Sequence, residues 1–328
     1  MRTRERSLLP MASGIVALVA VGVCGCRTDA PSPTAAASTP EASARTPTPP
    51  APAPEYLPLL VEESQGKRRL FARAYIPASL AGRTVLMTLR SGLPRGLVEP
   101  RFAGKHAKTA RVQVGRSQLE LPVSTRIERQ PSALGLPIAG ILGADFLLEH
   151  SALLDLQRRL LVRYPSGTEM PTSAEWLELP SRVIGGLLVV DAQLDGKQVP
   201  LVLDTGLPSI VWLGQGRNPG DQPAVAKDLD RRPLRGSYGT VRFQSGGYAR
   251  KVSAFRVRSF PALEATAARV GADLRGLLGL GAFSGRALCF RQGHVYVGPA
   301  PHRAVASGDG ASTASPATPT GNGTRDSR

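Results

Sequence analysis

The sequence predicts a mainly β protein built from two homologous lobes, and three observations lead to this fold class. Residues 56–299 are dense in short runs of strand-forming residues bounded by Gly, Pro and Asp. Two stretches of this region recur later in the chain, one at an offset of 114 residues and one at an offset of 135 or 136. Because both matches keep their order and nearly their spacing, they indicate a duplication. We predict lobes over residues 56–165 and 174–299.

The first repeat aligns residues 81–94 with residues 195–208. Six of the fourteen aligned positions are identical: Gly82/Gly196, Val85/Val199, Leu89/Leu203, Gly92/Gly206, Leu93/Leu207 and Pro94/Pro208. The second repeat aligns residues 140–143 with 276–279 and continues through Ala152/Ala287, Leu153/Leu288 and Val162/Val297.

Turn signals divide the second lobe into strands. Asp195-Gly196 predicts a tight hairpin turn before an apolar strand that ends at Asp204. Ser245-Gly246-Gly247 predicts a second hairpin, and we interpret it as an ordinary turn, with a substrate-covering flap tip as the alternative. Only short stretches, such as residues 263–274, have a sequence pattern that predicts a helix.

The two ends of the chain predict a secreted, tethered protein. Residues 1–26 combine a basic start, an apolar stretch and a small residue before Cys26, which resembles a bacterial lipoprotein signal with its lipobox. We expect Cys26 to carry a lipid anchor on the bacterial cell envelope, on the outer membrane in particular; an ordinary secretory signal is the alternative. Residues 27–55 and 300–328 are rich in Pro, Ala, Thr and Ser, and we expect a disordered tether and a disordered tail.

Composition excludes several classes of protein. Three cysteines among 328 residues exclude a disulfide scaffold, and we interpret Cys289 as a small buried hydrophobe. The four histidines share no ligand spacing, so neither a metal nor a cofactor is predicted. The formal net charge of +16 suits anionic envelope surfaces or reflects an arginine-rich composition. Nucleic acid is not expected as a partner, because no basic stripe with interleaved aromatic residues occurs.

One motif in the second lobe contains a candidate catalytic residue. Asp204-Thr205-Gly206 follows an apolar strand, and Leu277-Leu278-Gly279 follows some seventy residues later. Together with their echo in the first lobe, these motifs resemble those of the retropepsin-like and pepsin-like aspartic peptidases. The resemblance implies two closed β lobes in the bilobal acid-protease fold and an aspartic-type endopeptidase. It also implies that Asp204 is catalytic, with Thr205 and Gly206 supporting it.

The first lobe departs from this pattern at one position. Such a site needs two carboxylates that share a proton, one from each lobe. The counterpart of Asp204-Thr205-Gly206 is Arg90-Ser91-Gly92, so the loop residues remain and the carboxylate is lost. Arginine stays protonated and accepts no hydrogen bond. We therefore predict an Arg90–Asp204 ion pair at the lobe interface, which argues against a working pair of acids within one chain.

Other routes to a second carboxylate are weaker. Asp145 is expected to cap a short helix, and Asp155 to lie in a strand near the edge of the lobe. Two chains could pair their second lobes and bring one Asp204 against another, but this would displace the first lobe, so we expect a monomer. We predict a degenerate peptidase-like lipoprotein that binds extended peptide or protein segments. An active homodimeric endopeptidase and a purely structural lipoprotein remain the alternatives.

Overall fold

A computed structural model describes residues 53–64, 70–104, 106–125, 134–165, 168, 173–214, 220–227 and 232–299. The predicted signal peptide with Cys26, most of the tether and the C-terminal tail lie outside these residues. The first strand begins at Glu55, the residue at which the tether was predicted to end. Among the described residues, no helix is both long enough and apolar enough to cross a membrane.

The chain is mainly β, as the sequence predicts. Strands of the first lobe are β1 (Glu55–Pro58), β2 (Leu60–Ser64), β3 (Leu70–Leu80), β4 (Arg83–Leu89), β5 (Leu97–Val98), β6 (Thr109–Val114), β7 (Ser117–Pro122), β8 (Ile138–Leu142), β9 (Ser151–Asp155) and β10 (Leu160–Tyr164). Strands of the second lobe are β11 (Leu177–Leu179), β12 (Ser181–Ile184), β13 (Leu187–Leu194), β14 (Lys197–Asp204), β15 (Ile210–Leu213), β16 (Gln222–Lys227), β17 (Pro233–Ser245), β18 (Tyr248–Val257), β19 (Gly276–Gly279), β20 (Ala287–Arg291) and β21 (His294–Val297). The helices are α1 (Pro100–Ala103), α2 (Ala144–Leu148), α3 (Pro261–Val270) and a 3-10 helix (Leu280–Phe283).

The sheet of each lobe follows the same pairing scheme. In the first lobe the order is β5-β8-β4-β3-β6-β7, with β2 beside β3. In the second it is β12-β13-β14-β19-β15-β18-β17-β16, and an extra pairing of β13 with β17 curls the sheet back on itself. Each lobe has a parallel pair at its centre, β4 with β8 and β14 with β19, and the second lobe has a further parallel pair, β15 with β18. The repeat in the sequence therefore has a counterpart in the topology.

A third sheet joins the lobes. Its order is β1-β10-β9-β20-β21-β11, so each lobe contributes three strands. Across the boundary β9 and β20 run antiparallel, with Leu154 opposite Leu288 and Leu153 opposite Cys289. Cys289 is fully buried here, and burial raises the pKa of its thiol to about 12. This agrees with its interpretation as a small hydrophobe. No local pattern in the sequence predicts this shared sheet.

The hydrophobic core is continuous from one lobe to the other. Its main cluster draws buried side chains from both lobe sheets and from the shared sheet. A smaller cluster lies in the second lobe, where Leu263 of α3 packs with Val202 and Phe255. Helix α3 is shorter than the predicted 263–274, because Gly271 adopts a left-handed conformation with φ 65° and ends it.

Candidate functional site

The second-lobe loop is positioned by two buried strands. Strand β14 is buried from Leu201 to its last residue, Asp204, and it runs parallel to β19 with Asp204 beside Gly279. A side chain at Gly279 would bring its Cβ within 2.4 Å of the Ser209 carbonyl oxygen. The predicted Leu277-Leu278-Gly279 motif thus packs directly against the loop, and its glycine is needed for that close approach.

The first-lobe loop is built in the same way. Strand β4 ends at Leu89, and the amide of Arg90 donates to the carbonyl of Leu142 at the end of β8 (2.9 Å). A Cβ at Gly143 would lie 2.4 Å from the carbonyl carbon of Arg95. The first-lobe loop thus has the same kind of close packing as the second-lobe loop, with Arg90 at the position of Asp204.

The two loops are joined by reciprocal hydrogen bonds. The amide of Ser91 donates to Thr205 Oγ1 (3.0 Å), and the amide of Thr205 donates to Ser91 Oγ (3.1 Å). Ser91 Oγ donates in turn to the carbonyl of Leu203 (2.7 Å). Both hydroxyl residues are buried, at 1% and 0% exposure. These hydrogen bonds of Ser91 and Thr205 hold the two loops together.

Arg90 and Asp204 meet at this junction. Arg90 Nε lies 3.4 Å from Asp204 Oδ2, and the amide of Gly206 donates to Asp204 Oδ1 (2.9 Å). The Arg90 side chain is 16% exposed and that of Asp204 only 3%. The ion pair predicted from the sequence is present, and the arginine is its more accessible member.

Glycines make room for the pair on both sides. A Cβ at Gly92 would lie 2.5 Å from both Cγ and Oδ2 of Asp204. A Cβ at Gly206 would lie 2.9 Å from Arg90 Cγ and 3.2 Å from Asp204 Oδ1. The two loops are thus in van der Waals contact, and the pair lies between their glycines.

The other candidate acids have structural partners instead. Asp145 lies in the first turn of α2 and accepts from the amides of Phe146 (2.9 Å) and Gly96 (3.3 Å). Burial raises the pKa of this carboxyl above its ordinary value. The prediction that Asp145 caps this helix is wrong, because Gly143 occupies the N-cap position and no side chain caps it. Asp155 ends β9 and accepts from the amides of Gln157 (3.0 Å) and Arg158 (2.9 Å). The structure shows no contact of either carboxylate with Asp204.

The hairpin turn predicted at Ser245-Gly246-Gly247 is present in the structure. Strands β17 and β18 are joined through Gly246-Gly247, as predicted. A Cβ at Gly246 would lie 2.3 Å from the carbonyl oxygen of Glu178, so this turn packs against the end of β11. Tyr248 is buried and donates to the carbonyl of Ala282 (2.8 Å). The turn is an ordinary packed hairpin turn and not a cover for the Asp204 loop.

Sequence reasoning missed a cavity and two buried arginines. The cavity measures about 560 Å³ and is lined mainly by apolar groups of the first lobe, including Pro94 and Leu121, together with Gly186 of the second lobe. Arg163 pairs with Glu55 (3.2 Å) and Arg256 with Asp221 (3.0 Å). No local pattern marks these residues, because their partners lie far away along the chain.

Comparisons with known proteins find a likeness among solved structures only. The aspartic proteinase from Irpex lacteus is similar over 77% of this chain and 99% of its own chain, with 8% sequence identity and a TM-score of 0.43. No protein-family model and no curated protein sequence matches the chain. At 8% identity the likeness says nothing about activity.

Proposed function

We propose that this protein is a non-hydrolytic relative of the aspartic peptidases that binds an extended peptide segment at the lobe interface. One observation carries the proposal: Arg90 Nε lies 3.4 Å from Asp204 Oδ2, at the junction where the chemistry of these enzymes needs a second carboxylate.

The charge at this position argues against hydrolysis. Peptide hydrolysis by two acids requires one carboxylate to take a proton from water while its protonated partner donates to the scissile carbonyl. A guanidinium can donate but cannot take up a proton, so it cannot share one with Asp204. The Arg90 side chain also lies beside the Asp204 carboxylate, where an acid pair would hold its water. A single chain therefore lacks the protonated acid that the reaction needs beside Asp204.

Peptide binding does not depend on the missing acid. An extended segment is recognised largely through its main-chain amides and carbonyls, and side-chain pockets add specificity. The backbone of the loops at the lobe interface is held in place by the Ser91–Thr205 hydrogen bonds and by closely packed glycines. A binding site for such a segment therefore does not need a second carboxylate beside Asp204.

The shared sheet weighs against an active homodimer. Pairing Asp204 with Asp204 of a second chain requires the first lobe to leave the interface. That would separate β9 from β20 and expose Leu154 and Leu288, both fully buried. We therefore favour a monomer. A purely structural role predicts that substitutions at Arg90 and Asp204 leave the biological phenotype unchanged.

We further propose that the chain is anchored to the bacterial envelope through lipidated Cys26, with residues 27–55 as the tether. The support is the charge, apolar length and small residue before Cys26 in the sequence. Cell fractionation of a Cys26→Ser variant tests the anchor, and membrane retention of that variant would disprove it.

The test of non-hydrolytic function is a cleavage assay on a diverse peptide pool, from acidic to neutral pH. We expect the full-length wild type to leave the pool intact while retaining peptides in a pull-down. Arg90→Asp restores the second carboxylate and is the gain-of-function variant. Wild-type cleavage that is lost in Asp204→Asn would overturn the proposal, because Asp204 would then be catalytic after all.

A further inference from the structure

We infer that the peptide bound at this site is recognised through a carboxylate, which Arg90 holds. The inference rests on the proposed function and names the chemistry that the site selects. The carboxylate belongs either to the C-terminus of the bound segment or to an Asp or Glu side chain within it.

The ion pair with Asp204 uses only the Nε of the Arg90 guanidinium. Its Nε faces Asp204 at 3.4 Å, while Nη1 and Nη2 have no hydrogen-bond partner among the described residues. Neither nitrogen is among the buried atoms that lack a partner, so both reach solvent. Among the described residues, nothing occupies the two parallel N–H groups that Nη1 and Nη2 direct along the end of this planar cation, and they can bind a ligand.

The exposed side of the ion pair is the positive one. Asp204 is 3% exposed, and its carboxylate is further engaged by the amide of Gly206 (2.9 Å). Arg90 is 16% exposed, so a ligand meets the guanidinium before the carboxylate. An active pair of acids would present hydrogen-bond acceptors and a shared proton. This site presents hydrogen-bond donors, and the ligand group that matches it is an acceptor.

A carboxylate is the acceptor that fits this donor edge best. The two terminal nitrogens of arginine match the two oxygens of a carboxylate in parallel hydrogen bonds. A doubly charged phosphate is bound best by clustered cations. Here Asp204 already offsets the charge of Arg90, which favours a ligand group with a single negative charge. Asp204 is then a positioning residue, since it holds Nε at the buried carboxylate and leaves Nη1 and Nη2 for the ligand.

The test compares matched peptides against the full-length protein. A randomised hexapeptide library is made as the free acid and as the C-terminal amide, and selected binders are remade with Asp or Glu replaced by Asn or Gln. Affinities are measured by fluorescence polarisation. We expect a difference in one of the two comparisons. Either the free-acid peptides bind roughly tenfold to a hundredfold more tightly than the C-terminal amides, or the peptides with Asp or Glu bind that much more tightly than those with Asn or Gln. The arm that shows the difference identifies the source of the carboxylate.

The key variant is the double substitution Arg90→Gln with Asp204→Asn, which removes the guanidinium without stranding a buried charge. We expect it to bind acid and amide forms equally. If the double variant does not fold, Arg90→Lys replaces it. That variant keeps the positive charge but cannot make two parallel bonds, so most of the preference is lost.

A matched control removes a surface pair of the same composition. Arg275 and Asp273 form an exposed pair at 2.8 Å, and the double substitution Arg275→Gln with Asp273→Asn is expected to keep the full preference for acids. Equal wild-type affinity for acid and amide forms would overturn the inference while peptide binding stands. Absence of binding to every form would overturn the proposed function itself, and the inference with it.

Discussion

At the scale of single residues, one side chain separates this site from a pair of acids. Arg90 occupies a loop whose backbone partners, hydroxyl residue and glycine all repeat those of Asp204. The sequence allowed this pair to be predicted, because an alignment of the two halves places Arg90 opposite Asp204. The hydrogen bond from Ser91 Oγ to the carbonyl of Leu203 was not predictable, since it depends on how closely the loops approach.

Gly92→Ala tests that close approach. The added Cβ would fall 2.5 Å from Cγ of the buried Asp204, so the carboxylate or the whole loop must move. We expect a loss of about 1–3 kcal/mol in the free energy of unfolding, as for other overpacked sites. Denaturant unfolding measures it.

Gly247→Ala is the control for this substitution. Its nearest neighbour would be a Leu177 methyl carbon at 3.4 Å, an ordinary contact, so its stability should change little. Equal stability losses in the two variants would show that the loops are looser than the structure describes.

At the scale of elements, local patterns predicted hairpins better than they predicted the shared sheet. Asp195-Gly196 does turn β13 into β14, with φ values of 50° and 82° that suit this tight turn. The β17–β18 turn was predicted from its glycines in the same way. Strands β9 and β20 come from different lobes, and their pairing depends on long-range packing that leaves no mark in either segment.

Leu288→Ala tests the importance of the β9–β20 boundary. Leu288 is fully buried opposite Leu154, and its truncation leaves a cavity in the shared sheet. We expect a loss of about 2–5 kcal/mol in the free energy of unfolding. The loss should appear in one cooperative transition, because the core runs through both lobes.

Val225→Ala provides the comparison on a surface strand. Val225 is 67% exposed on β16, so its truncation should be nearly neutral. Two separate transitions in Leu288→Ala, one for each lobe, would contradict a continuous core.

At the scale of the whole molecule, one chain supplies both loops of the site, so the two loops can differ. The lobes share their central strand pairing, and one carries an acid where the other carries an arginine. A protein that assembled its site from two identical chains could not make this change, since any substitution would appear on both sides. The bilobal fold was predictable from the repeat, whereas the packing that joins the lobes was not.

Sedimentation velocity tests the predicted monomer. The surface that a second Asp204 loop would need is already covered by the first lobe, so we expect one monomeric species of the full-length chain across the micromolar range. Measurements in detergent keep the predicted lipid anchor from causing association. A dimer that disappears on Arg90→Asp would instead point to an interface at the site.

The position of β1 has a mechanical consequence. This strand lies at the outer edge of the shared sheet, and it is the first strand in the described part of the chain. A pull on the N-terminal side of the chain is therefore applied to the four residue pairs that join β1 to β10. The ion pair of Glu55 with Arg163 resists that pull at the first of them. The loops that carry Arg90 and Asp204 are held by separate bonds, so tension can peel this edge while the site keeps its shape.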